Sequence, residues 1–108
     1  MIRLIQSNAG PYYESIEFNL ATASTDYDLD AQQSTFLSVF GPGNVVDKHP
    51  SHMVLRTNQT ISVKINASTN HSITIASTDS PFEYFGEIRN LFITNTSGNT
   101  AAIKILFG

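Results

Sequence analysis

The apolar residues of this chain alternate with polar ones over short runs, and turn-forming residues separate the runs. The clearest run is Ile61-Ser62-Val63-Lys64-Ile65, where every second side chain is apolar. Successive side chains of a strand point to opposite faces, so the pattern predicts a strand with one face in a core and one in water. Residues 12–20 read the same way, with Ile16, Phe18 and Leu20 on one side and Ser15, Glu17 and Asn19 on the other. Ile73 and Ile75 return after a polar tip at residues 66–70, which predicts a hairpin with the 61–65 strand. Shorter strands are expected at 2–5, 53–57 and 82–85. Residues 35–40 are apolar on both faces through Phe36, Leu37, Val39 and Phe40, as in a strand buried on both sides. Residues 45–52 read as a long loop.

Between Ile88 and Phe107, two further runs rich in β-branched and aromatic residues flank Thr96-Ser97-Gly98-Asn99 and predict a C-terminal β-hairpin. Leu91 and Ile93 share one face of their strand, and Ile103, Ile105 and Phe107 share one face of theirs. An odd loop brings both sets to the same side. A three-residue Ser97-Gly98-Asn99 loop would set Ile93 opposite Ile103 and Leu91 opposite Ile105, whereas a one-residue slip sends the apolar set to the wrong face.

Eight or so strands spaced by about a dozen residues, with no amphipathic helix, predict an all-β antiparallel sandwich. A jelly roll is the expected topology, with an immunoglobulin-like sandwich as the alternative. At 108 residues the chain accommodates one domain, spanning 1–108. The expected core comprises Phe18, Val63, Ile65, Ile73, Ile75, Leu91, Ile93, Ile103 and Ile105.

Charge is scarce at 14%, and 12 Ser, 11 Thr and 9 Asn take its place at the surface. These residues compete with helical hydrogen bonding, which strengthens the β reading. The net charge of −3 and six scattered cations argue against nucleic acid, because phosphate binding needs clustered Lys and Arg. Cysteine is absent, which removes disulfides, thiolate metal sites and a cysteine nucleophile together. Residues 1–6 have no long apolar stretch, so a signal peptide is not expected, and no run is long enough to span a membrane. A soluble protein is the expectation.

Candidate chemistry is sparse. Asp47, His49 and His52 bring two imidazoles and a carboxylate together in Asp47-Lys48-His49-Pro50-Ser51-His52. A catalytic zinc needs three such ligands plus water, but the spacing matches no zinc signature and a solvated loop accounts for it. Asp26, Asp28 and Asp30 alternate like the start of an EF-hand loop, without its glycine at the sixth position or its glutamate at the twelfth. In an extended strand they would line one face and form an acidic edge, which discourages strand-to-strand aggregation. Neither group is expected to hold a metal, and no cofactor is expected. Glu14 and Glu17 fall on opposite faces of their strand and do not make a glycosidase pair. No nucleophile elbow is present, and Gly41-Pro42-Gly43 lacks the lysine and helix of a phosphate loop. Tyr12, Tyr13, Tyr27 and Tyr84 could stack on sugars, though tyrosines of a small sandwich more often pack its core or an interface. The sequons at Asn58, Asn66, Asn70 and Asn95 are what a chain this rich in Asn, Ser and Thr makes by chance.

The order Thr35-Phe36-Leu37-Ser38-Val39-Phe40-Gly41, then residues 55–66, then residues 91–105 resembles small β-sandwich structural proteins of tailed bacteriophages. The likeness lies in the run of strands and turns from Thr35 on. It implies a non-enzymatic virion component assembled in the bacterial cytoplasm, such as a capsid decoration protein or a head–tail, tail or baseplate module. It also implies virion partners, above all the major capsid protein, and a homo-oligomer with a trimer as first expectation. Residues 36–40 and Phe82, Tyr84 and Phe85 are the apolar stretches that one small core could leave for such contacts.

Overall fold

A computed structural model describes residues 2–4, 13–32, 49–79 and 81–108. The strands are β1 (Ile2–Leu4), β2 (Tyr13–Leu20), β3 (Tyr27–Asp28), β4 (His52–Thr57), β5 (Ile61–Ile65), β6 (Ile73–Ile75), β7 (Phe82–Phe85), β8 (Leu91–Thr94) and β9 (Ala101–Phe107). They form two antiparallel sheets, β1-β2-β9-β4-β7 (sheet A) and β3-β8-β5-β6 (sheet B). The pairings are nested: β5 with β6, β4 with β7, β3 with β8 and β2 with β9. The nest is then wound so that β9 also meets β4 and β8 also meets β5. That is the strand order of a jelly roll, and it excludes the immunoglobulin-like alternative. The predicted strand at 35–40 lies outside the described residues.

Alternation drives the burial. Along β9, Ala101, Ile103, Ile105 and Phe107 are buried while Ala102, Lys104 and Leu106 face out. Ile61, Val63 and Ile65 of β5 do the same, as do Leu91 and Ile93 of β8. Opposed across the sandwich, these rows join Ile16, Leu20, Met53, Leu55 and Ile75 in one core. Each such side chain contributes about 1.5–3 kcal/mol on leaving water. The expected core residues all lie in it or, for Phe18 and Ile73, pack against it. The predicted β5–β6 hairpin is present, with Ile61 opposite Ile75 and Val63 opposite Ile73.

The predicted C-terminal hairpin is not. β8 belongs to sheet B and β9 to sheet A, so Ile93 lies opposite Val63 and Tyr27, and Ile103 opposite Phe18 and Thr57. Residues 95–100 form an arch from one sheet to the other. Buried Asn95 holds it: its Nδ2 donates to Leu20 O (3.0 Å) and Asn99 O (2.8 Å), while its Oδ1 accepts from Ser97 N and Ser97 Oγ. The parity argument put both apolar sets on the core side, and facing each other across the core satisfies it as well as sharing a sheet does. The β4–β5, β6–β7 and β7–β8 connections also change sheets.

Residues 26–30, expected to form an extended acidic edge, instead hold the two-residue strand β3 and the start of one helical turn, α1 (Leu29–Gln32). Asp28 caps the turn, its Oδ1 accepting from Ala31 N at 3.1 Å, as short polar side chains do at helix starts. Leu29 is fully buried beneath it. β3 is nonetheless an edge strand of sheet B.

Candidate functional site

The jelly roll gives the chain two broad outer faces, and the one on sheet A carries unsatisfied chemistry. Register fixes its layout. The first row holds His52 opposite Phe85, the second Leu106 opposite Val54 and then Glu83. The third runs Glu17, Lys104, Arg56, and the fourth Asn19, Ala102 and, past the end of β4, Asn58. The first two rows make an apolar corner. Phe85 is 70% exposed and Leu106 37%, the large hydrophobic side chains left most open among the described residues. The His52 ring stacks on Phe85 with centroids 4.4 Å apart and planes at 16°. Its Nε2 lies 3.6 Å from Glu83 Oε2, an ion pair when the imidazole is protonated.

Gly86 fixes how the corner ends. Its φ is +151°, and a Cβ there would come 2.8 Å from Tyr84 Oη, so only glycine lets the chain turn over the tyrosine ring. Beyond it, Gly86 N donates to Ser51 O and Ile88 N to Pro50 O, which carries the β4–β7 contact past the strand ends.

The residues singled out in the sequence do not converge. Asp47 lies outside the described residues, His49 is half-buried, and His52 belongs to the face just described. Asp26 pairs with Lys64 Nζ at 3.0 Å from a left-handed backbone conformation (φ 47°). Asp28 caps α1 and accepts from Asn90 Nδ2 at 2.7 Å, and the backbone N–H of Asp30 donates to Asn90 Oδ1. The carboxylates of Asp26 and Asp28 thus serve separate structural tasks. Among the described residues no three His, Cys, Asp or Glu side chains are grouped as a metal site would need. Tyr27 stacks on Phe18 at 5.4 Å and Tyr84 packs against the core, so neither offers an open platform for a sugar. Tyr12, the side chain of Tyr13 and residues 33–48 lie outside the described set. Glu17 does face outward.

Asparagine is where the sequence reading missed most. Asn95 ties the arch, Asn90 ties α1, and Asn66 (φ 72°) donates from Nδ2 to Glu87 O and accepts Arg89 N on Oδ1. The signal was present, since Asn tolerates the left-handed region and bonds neighbouring backbone. No protein-family model, curated protein or solved structure matches the chain.

Proposed function

We propose that the protein is a non-enzymatic structural component of a tailed-phage virion. It is read as a capsid decoration protein that oligomerises on the head lattice and touches the major capsid protein. The observation that carries this reading is the apolar corner of sheet A, where Phe85, His52, Val54 and Leu106 lie together on an outer sheet face. Aromatics are enriched and charges depleted at the centres of protein interfaces. Double-sheet jelly rolls recur in capsid domains, which supports the reading by architecture alone. A trimer is the proposed assembly, because closed symmetry is the rule for homo-oligomers and a capsid lattice offers three-fold positions.

Light scattering, together with co-sedimentation on empty capsids from the same genome, tests it. An oligomer that sediments with capsids, and a Phe85→Ser/Leu106→Ser variant that loses both properties, are expected. A protein monomeric across the micromolar range that ignores capsids would overturn the reading. Binding to tails instead would make it a tail, baseplate or connector module.

A further inference from the structure

The polar half of the same face suggests a second surface, independent of assembly and of the virion reading. We infer that the Arg56–Lys104–Glu17 row and the depression beside it bind a carboxylate-bearing saccharide.

Charge placement comes first. Register sets Arg56 directly opposite Lys104, and like charges so placed on adjacent strands destabilise a sheet. On its other side Lys104 faces Glu17, and Lys104 Nζ lies 3.2 Å from Glu17 Oε1. That one carboxylate satisfies one cation. The guanidinium of exposed Arg56 donates to no acceptor among the described residues, so a positive fork stands open beside an already paired lysine.

Shape comes second. The next row places Ala102, a single methyl, between two asparagines, Asn19 and Asn58. The small side chain leaves an open depression of about 690 Å³, with Ser77 from the turn after β6 on its wall. Ala102 N donates to Asn58 Oδ1 at 2.8 Å, which leaves the amide nitrogen of exposed Asn58 as its donor group.

The chemistry of the lining selects the ligand. A guanidinium matches a carboxylate bidentately, in a planar geometry that a lysine does not reproduce. Glu17 accepts hydrogen bonds, and the asparagine amides and Ser77 hydroxyl both donate and accept, as a hydroxyl-rich ring requires. An open polar hollow suits such a ligand better than the apolar molecules that fill enclosed pockets. Two cations, one of them already paired with Glu17 at the end of the row, do not suit a phosphate backbone, which needs clustered positive charge.

The test is amide chemical-shift titration of the full chain at low salt with glucuronic acid, glucose and inorganic phosphate. Glucuronic acid should shift signals at residues 56–58 and 102–104, with a Kd of about 1 mM, and glucose should bind at least about tenfold more weakly. Arg56→Gln should lose the glucuronic acid response at an unchanged melting temperature, and Lys64→Gln, on the opposite sheet, should keep it. Equal binding of glucose would overturn the anion role of Arg56. Phosphate binding as tightly as glucuronic acid would reduce the site to an oxyanion patch and overturn the sugar assignment. So would no shift at all, or an Arg56→Gln variant that still responds.

Discussion

The two outer faces of the sandwich come from the same kind of alternating strand, yet they dispose of their polar groups in opposite ways. On sheet B the outward groups around β3 and its neighbours are bonded to one another. Lys64 reaches Asp26, Thr94 Oγ1 accepts Asp26 N, and Asp28 holds Asn90, while Phe92 lies half-buried opposite Lys64 and Asp28. On sheet A the Lys104–Glu17 pair is internal, but Arg56 has no acceptor among the described residues and Phe85 stands largely uncovered beside His52. A face whose groups satisfy one another gains little from a partner. One with an open guanidinium and an exposed aromatic can gain both a charge-assisted bond and apolar burial, so the difference separates a finished surface from a receptive one.

The strongest way to break this comparison is at the core beneath it. Ile105 and Leu106 are neighbours on β9, one fully buried and the other on the open face. Ile105→Ala should cost about 2–5 kcal/mol in urea denaturation, whereas Leu106→Ala should stay within about 0.5 kcal/mol. Similar losses at both positions would mean that the two faces of β9 are assigned the wrong way round. Next comes the arch that fixes one sheet over the other. Asn95→Ala removes the buried amide that bonds Leu20 O, Asn99 O and Ser97, and should cost about 1–3 kcal/mol, with faster hydrogen exchange around the arch.

Two aromatic substitutions then sharpen the contrast itself. Phe85→Ser should weaken self-association about tenfold or more by sedimentation velocity, and Phe92→Ser should leave it unchanged. Equal effects would show that exposure on sheet A has nothing to do with assembly. The smallest effect belongs to the finished face. Lys64→Met removes a part-buried pair and should cost less than about 1 kcal/mol, a loss that shrinks further as salt is raised.

Much of this was legible in the chain, for a definable reason. Period-two alternation fixes which side chains face the core, so Val63, Ile65, Leu91, Ile93, Ile103 and Ile105 could be named from it. Alternation is silent about which sheet a strand joins, and for that reason it predicts Ile93 and Ile103 as paired neighbours, whereas they belong to different sheets of one core. Thr96-Ser97-Gly98-Asn99 has hairpin chemistry, and Gly98 does take a positive φ of 56°, yet the buried amide of Asn95 turns the same residues into an arch. Leu29 was hidden in a polar, acidic stretch, and its burial depends on a helical turn too short to leave a periodic trace. The open face was legible only in part. Phe85 stood out by composition, but the row of Glu17, Lys104 and Arg56 joins residues from three strands distant in sequence, and only the register reveals it.

The position of β9 has a consequence for how the molecule is made. It is the latest-synthesised of the nine described strands, and it lies in the middle of sheet A, between β2 and β4. Until it emerges, the described strands of sheet A form two separate pieces, β1 with β2 and β4 with β7. Each presents an unpaired edge, the surface along which nascent chains stick to one another. Pairing that spans most of the chain places such folds in the millisecond-to-second range. A ribosome stalled before Ala101 would therefore leave two ribbons that cannot close, and the yield of folded protein should depend on how quickly β9 is delivered.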